Sequence, residues 1–253
     1  MSEIKALFFD QDGVIVDTER DGHRVAFNHA FAEAGYSVEW DEETYHSLLQ
    51  VGGGKERMRH HLATAGFGID IPAEDVDQVI HKLHKRKTDI FIEMLEKGAL
   101  PLRPGVKRVM EDAASEGLPI GICTTSNERA AEAIRTQLLP EIPFAFILAG
   151  DVVSRKKPDP EIYLMALQKT GVKAENTVVF EDSNIGARAA KAAGCQVVAT
   201  VNGYTCDEDL SMADLSVSSL GEPGIPSKLL TSQIPGDDWP GHLTLDWLRQ
   251  RFS

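Results

Sequence analysis

The sequence predicts an α/β fold in which a parallel sheet carries helices on both faces and a helical domain interrupts the chain after the first strand. Three observations lead there. Short apolar runs each stop at a polar cluster, helical stretches separate one run from the next, and the long segment between the first two runs holds helical patterning without a strand-like run. Strands covered on both faces read as unbroken apolar runs, and joining them in parallel takes a helical crossover each time.

Ala6-Leu7-Phe8-Phe9 is the first run; it stops at Asp10, and Asp12-Gly13 signals a turn behind it. A buried strand thus delivers a carboxylate at its C-terminal end, where open α/β sheets place their chemistry. Helical segments follow over Ala26 to Ala34, Asp41 to Leu49 and Asp75 to Leu95, with a further helix opened by Lys55 and Arg57 behind Val51-Gly52-Gly53-Gly54. Residues 18–95 are therefore expected to form a cap on a core made of 1–17 and 96–253. Pro101-Leu102-Arg103-Pro104-Gly105 marks the return to the sheet. From there Gly105 to Glu116, Glu128 to Leu138, Glu161 to Thr170 and Ile185 to Ala193 read as helices, the last closed by Gly194. Between them Pro119 to Cys123 runs into Thr124, Phe144 to Leu148 into Gly150-Asp151, and Thr177 to Phe180 into Glu181-Asp182. Gly221-Glu222-Pro223-Gly224 and Pro235-Gly236 then mark loop, and Leu243 to Arg251 a terminal helix.

Composition excludes several classes of function. The chain has 253 residues, 42% of them hydrophobic, enough for a substantial core. Its net charge of −13, from 39 acidic against 26 basic residues, opposes general attraction to nucleic acid or an anionic membrane, so neither is expected as a partner. An anionic substrate must then meet a local cluster of Lys and Arg. Cys123, Cys195 and Cys206 lack metal-ligand spacing, which favours a reducing compartment over a disulfide-stapled secreted fold. Met1-Ser2-Glu3-Ile4-Lys5 leads straight into the first strand without signal or transit patterning, and no apolar run is long enough to cross a bilayer. A cytoplasmic monomer is the expectation, with the plastid stroma in its place for a processed form.

Four strand ends carry the chemistry. Asp10 and Asp12 straddle Gln11, so both side chains can reach the mouth of the sheet: one carboxylate attacks phosphorus while the other protonates the leaving oxygen and later deprotonates water. An isolated Asp-x-Asp is more often a turn and a helix cap, and here the later strand ends outweigh that reading. Thr124-Thr125-Ser126-Asn127 precedes a helix, where hydroxyls and backbone N–H groups can grip a phosphoryl group; alone, the same residues would read as a plain helix cap. In Arg155-Lys156-Lys157-Pro158-Asp159-Pro160, Lys157 can neutralise nucleophile and phosphate, a neighbouring cation being an ordinary solvated charge. Glu181-Asp182 offers hard oxygen ligands of the kind Mg2+ takes together with substrate phosphate.

Asp10-Gln11-Asp12-Gly13-Val14, Thr124, Lys157-Pro158 and Glu181-Asp182, in this order, resemble the four motifs of haloacid dehalogenase-type phosphatases, and the helical insertion resembles their first cap class. The similarity runs from residue 4 to about 215. It implies a Rossmann-like core with a helical cap, nucleophile Asp10, acid/base Asp12 and phosphate ligands Thr124 and Lys157. It also implies Mg2+ held by Asp10, Asp182 and the carbonyl of Asp12, with Glu181 as a further ligand. Halide displacement is not implied, because dehalogenases of this superfamily lack the second aspartate of the first motif and need no metal.

In the cap, glycines at 52–54 allow close backbone approach, and Lys55 and Arg57 can hold a second phosphate, although an ordinary helix-to-helix loop has similar composition. Thr18-Glu19-Arg20-Asp21-Gly22-His23-Arg24 with Phe27-Asn28, and Val51-Gly52-Gly53-Gly54-Lys55-Glu56-Arg57, together with Leu102 to Val106 and Ala149 to Val153, resemble the CbbY-like branch of the superfamily. That branch includes Calvin-cycle-associated xylulose-1,5-bisphosphate phosphatases, whereas β-phosphoglucomutase carries Arg in place of Lys55. By that resemblance the substrate is xylulose-1,5-bisphosphate, cleaved to xylulose 5-phosphate and phosphate. Thr125, Ser126 and Asn127 would line the transferred phosphate, Lys55 and Arg57 the other, and Glu19 and His23 the sugar hydroxyls. A phosphosugar mutase is the alternative from the same chemistry, and a metabolite-binding protein that has kept the fold is the alternative without catalysis.

Overall fold

The computed structural model describes residues 3–234 and 238–252, so the turn read at Pro235-Gly236 lies outside the described residues. Its sheet has seven strands, β1 (Ala6–Phe9), β2 (Ile120–Cys123), β3 (Phe146–Leu148), β4 (Thr177–Glu181), β5 (Gln196–Thr200), β6 (Leu215–Val217) and β7 (Leu229–Ser232). They lie in the order β3-β2-β1-β4-β5-β6-β7, the first six parallel and β7 antiparallel to β6. The chain leaves β1 toward β2 and β3 on one side and later crosses to β4 and β5 on the other. The C-terminal ends of β1 and β4 therefore flank the point where strand order reverses, the place where open α/β sheets bind ligands.

Every residue of β1, β2 and β4 is buried, as continuous apolar runs between helix layers require. Helices α5 (Val106–Ser115), α6 (Glu128–Leu138), α7 (Glu161–Thr170) and α8 (Asn184–Ala192) are the crossovers, and α9 (Leu245–Arg251) ends the chain. The earlier helices α1 to α4 belong to the insertion. Phe8 packs edge-on to Phe146 at 5.2 Å within a cluster that also takes in Tyr163, Val179 and Ala187. Phe9 stacks on Phe180 at 4.4 Å across the β1–β4 pair. Each such side chain contributes roughly 1.5–3 kcal/mol by leaving water.

The chain divides into two compact units, Met1–Asp17 with Pro101–Ser253, and Thr18–Leu100. The second boundary lies at Leu100 instead of residue 95, because the last helix of the insertion runs to Glu96 and Leu100 is buried against Gly22 of the same unit. The insertion holds no named strand among the described residues. One π-helical turn, Glu19–His23, leads into α1 (Arg24–Glu33), followed by α2 (Glu42–Leu48), α3 (Gly54–Thr64) and α4 (Val76–Glu96). Its centre is aromatic: Trp40 lies 4.8 Å from Phe27 and 4.9 Å from Phe31, which meets Phe67 at 5.3 Å. Asn28 fixes Trp40 by accepting from its backbone N–H at 2.8 Å and donating to its carbonyl at 2.9 Å.

Strands β6 and β7 span only three and four residues, too few to show a period, whereas β5 carries the apolar run Val197-Val198-Ala199, which the reading of the sequence did not assign to a strand. The strand expected from Phe144 begins at Phe146, because Phe144 closes a turn onto the carbonyl of Ile142. Among the described residues no helix is long and apolar enough to cross a membrane.

Gly121 in β2 gives Phe146 its seat: a Cβ there would stand 2.0 Å from the ring. Gly121→Ala should cost about 1–3 kcal/mol through overpacking. Urea unfolding with an unchanged slope and a lowered midpoint is the expected reading.

Candidate active site

Asp10 follows β1 directly, and its backbone N–H donates to the carbonyl of Phe180 at 2.8 Å, extending the ladder by one residue. The side chain is thereby fixed at the strand end with little freedom left to it. Its Oδ1 accepts from Lys157 Nζ at 2.5 Å, and Oδ2 accepts no hydrogen bond from the described residues. Lys157 also donates to the carbonyl of Cys123 at 2.8 Å and to Glu181 Oε1 at 2.6 Å. A single buried ammonium thus joins the ends of β1, β2 and β4. Its neighbours face elsewhere: Lys156 pairs with Asp151 at 3.4 Å, and Arg155 pairs with Asp159 and Glu161.

Asp182 follows β4, and Asn202 holds its Oδ2 by an Nδ2 donor at 2.6 Å. Gly13 passes close by: a Cβ there would stand 2.0 Å from Asp182 Oδ2, and its φ of +79° is one that side-chain-bearing residues rarely adopt. Arg103 locks this turn. Its guanidinium donates to the carbonyls of Gly13, Thr200, Val201 and Ser218, tying the loop after β1 to the ends of β5 and β6.

Asp12 points to the strand end beside β2, where Ser126 Oγ donates to its Oδ2. Thr124 is buried, takes the carbonyl of Leu148 with its N–H at 2.9 Å, and accepts from Ser126 N–H at 3.0 Å on Oγ1. Asn127 is used differently: its Oδ1 caps α6 by accepting from Arg129 N–H at 2.9 Å. Thr125 lies half-buried in the same turn. The structure therefore gathers Asp10, Asp12, Thr124, Ser126, Lys157, Glu181 and Asp182 at one end of the sheet and assigns Asn127 to the helix start.

Oxygens of Asp10, Glu181 and Asp182 all lie within 4.8 Å of one another, and all three residues are buried. Burial, and then the mutual repulsion of these carboxylates, pushes the Asp10 and Asp182 carboxyls well above the usual carboxylate range, against the pull of Lys157 on Asp10. Lys157 stays protonated, because its carboxylate partners together outweigh its desolvation. Three clustered acids thus share one ammonium, which contacts Asp10 and Glu181, with Arg103 acting on Asp182 as a more remote charge. A divalent cation with hard oxygen preference fits this donor set and this deficit of positive charge. Asp12 contributes no side-chain oxygen to the trio.

In the helical unit, Arg57 is not a surface cation. Its Nε donates to the carbonyl of Leu48 at 3.0 Å and its Nη1 to Tyr45 Oη at 2.9 Å, with Glu19 3.9 Å away, and 7% of the residue is exposed. Tyr45 Oη in turn donates to Glu19. Arg57 and Tyr45 thus orient Glu19, which keeps partial exposure. His23 is buried with its ring 4.2 Å from that of Phe91. Gly53 has φ +97°, Gly54 opens α3 against His84, and Lys55 follows in its first turn. Lys87, which sequence reading passed over, is buried with its ammonium 4.7 Å from the ring of Phe27. Asn202, Arg103 and Tyr163 were also missed. For Asn202 a signal existed: the run Val197-Val198-Ala199 before it repeats the pattern of an apolar strand stopping at a polar turn.

The family model of the haloacid dehalogenase-like hydrolases matches residues 4–194, and the chain belongs to that family. Within it, this is a phosphatase of the CbbY type. It is 47% identical over 222 residues to a CBBY-like protein of Arabidopsis thaliana, covering 86% of this chain and 70% of that one. Protein CbbY of Rhodobacter capsulatus is 40% identical over 221 residues, covering 86% of this chain and 94% of its own. Among solved structures, a mutant CbbY from Rhodobacter sphaeroides in complex with xylulose-(1,5)bisphosphate superposes with a TM-score of 0.80 at 36% identity, covering 87% of this chain and 96% of that chain.

Two outcomes follow from the electrostatics. In the metal-free protein, Asp10 and Asp182 favour folding in their neutral forms, so the stability they contribute is complete below about pH 4 and is lost as pH rises through their raised native values. Thermal unfolding with chelator should show this loss, and excess Mg2+ should reverse it. Arg57→Ala should cost on the order of 3 kcal/mol of stability by stranding Glu19 and the Leu48 carbonyl, measurable by chemical denaturation.

Proposed function

We propose that the protein hydrolyses xylulose-1,5-bisphosphate to xylulose 5-phosphate and phosphate through an aspartyl-phosphate on Asp10. The observation that carries the chemistry is the asymmetric environment of that carboxylate: Oδ1 is held by Lys157, while Oδ2 has no donor among the described residues and is left as the nucleophilic atom. The choice of sugar is supported by the CbbY structure from Rhodobacter sphaeroides bound to that compound. A role in clearing such a compound beside carbon fixation agrees with the setting that the resemblance implies.

Oδ2 of Asp10 attacks phosphorus in line, and the bond from phosphorus to the sugar oxygen breaks as the Asp12 carboxyl donates its proton to that oxygen. Ser126, bonded to Asp12, orients the acid for this transfer. Asp12, now ionised, takes a proton from water as the water oxygen attacks phosphorus, and the bond to Asp10 breaks. Lys157 offsets charge on the equatorial oxygens, and Thr124 borders the same space. Asp10 and Asp182, which with Glu181 form the acidic trio, would hold Mg2+ together with the carbonyl of Asp12, and the ion would supply further positive charge to the phosphoryl oxygens. In the helical unit Lys55 would bind the remote phosphate and Glu19 a sugar hydroxyl, with Gly52, Gly53 and Gly54 allowing close approach.

Phosphate release with Mg2+ should be fastest from xylulose-1,5-bisphosphate against ribulose-1,5-bisphosphate, β-glucose-1-phosphate and simple monophosphates, and should stop with chelator. Isomerisation of β-glucose-1-phosphate without phosphate release would favour the mutase reading. Asp10→Asn should abolish turnover in folded protein; retained turnover sinks the covalent route. Lys55→Ala should raise KM for the bisphosphate about tenfold, the worth of one charge-assisted hydrogen bond, and leave KM for a monophosphate near wild type.

A further inference from the structure

We infer that Tyr163 is a positioning residue for phosphoryl transfer, its hydroxyl fixing Glu181 and so limiting how strongly Glu181 draws Lys157 away from Asp10 and the transferring group. The inference rests on the reading that Asp10 and Lys157 carry out that transfer. Tyr163 lies on α7, six residues after Lys157, and is wholly buried. A buried phenol must find an acceptor, and this one donates to Glu181 Oε1, the same oxygen that accepts Lys157 Nζ at 2.6 Å. The ring also faces the ammonium, its centroid 5.2 Å from Nζ.

Glu181 has little room to evade these partners. Its Oε2 accepts from the backbone N–H of Asp182 at 3.2 Å and rests in the first turn of α8, where a Cβ on Gly186 would stand 2.0 Å away. The carboxylate is thus enclosed on one side by the bare backbone of Gly186 and on the other by the donors of Tyr163 and Lys157. Lys157 in turn divides its protons among Asp10, the Cys123 carbonyl and Glu181. Tyr163 takes up part of the accepting capacity of Glu181 Oε1. With phenylalanine there, ring and packing remain, but Oε1 answers to Lys157 alone and the ion pair tightens. That change bears on the transition state, where charge on the phosphoryl oxygens must compete with Glu181 for the ammonium.

Tyr163→Phe should lower kcat about tenfold, the size expected for one hydrogen bond in a buried network, with KM within twofold of wild type. Binding of orthovanadate with Mg2+, a five-coordinate mimic of the transferred group, should weaken by the same factor in calorimetry, while inorganic phosphate binds as before. Wild-type kcat and vanadate affinity in the variant would overturn the inference, as would equal losses for vanadate and phosphate, which mark a general disturbance of the site. Asp10→Asn, measured alongside, keeps the two questions apart. Activity in Asp10→Asn refutes the covalent reading, whereas an inactive Asp10→Asn beside an unaffected Tyr163→Phe refutes the role of Tyr163 alone.

Discussion

The site is organised around one buried ammonium held between two carboxylates. Lys157 binds Asp10 and Glu181 at 2.5 and 2.6 Å where the ends of β1, β2 and β4 meet. Removing such charges from water costs several kcal/mol per ion, so the arrangement persists only because each partner is held in place. Strand order reverses between β1 and β4, which opens the crevice into which these charges project. The fold and the chemistry are thus two aspects of one constraint: a cation can sit in the sheet's mouth only where adjacent parallel strands both end in carboxylates.

The remaining polar groups divide the work of keeping those carboxylates from moving apart. Arg103 spends its guanidinium on backbone carbonyls of the turn at Gly13 and of the β5 and β6 ends, so it orders the loop after β1 without neutralising an acid by direct contact. Asn202 does for Asp182 what Tyr163 does for Glu181, donating a neutral hydrogen bond to a carboxylate that charge repulsion would otherwise displace. Gly13 and Gly186 matter for the opposite reason: each leaves space that a carboxylate occupies. What the trio of acids still lacks is positive charge, and that deficit is the physical argument for a metal.

The helical unit follows a similar economy with different parts. Its core is a group of aromatic rings, and the buried Arg57 serves the interior by tying Leu48 and Tyr45 to Glu19. Expecting Arg57 to be a phosphate ligand was reasonable from its place near a helix start, but a helix start has two sides, and Arg57 is on the inward one.

The order of apolar runs and helices, the polar residues at their ends and the helical insertion were all legible in the sequence, because burial on both faces forces unbroken apolar strands and a parallel sheet puts their C-terminal ends together. Asp10, Thr124 and Asp182 each follow a strand directly, Glu181 ends β4 and Asp12 lies in the turn behind β1, so local pattern places them, whereas Lys157 stands in the loop between β3 and α7 and was legible through its place in the Lys-Pro motif. Tertiary structure decided what local pattern does not encode. Tyr163 looks like one more apolar position on a helix, Arg103 like a loop cation and Arg57 like a surface one; the hydrogen-bond partner of Tyr163 lies 18 residues away, those of Arg103 90 to 115 and those of Arg57 9 and 12. Whether a side chain is a ligand, a clamp or a piece of the core depends on which distant groups surround it, and only the packing of the chain sets that.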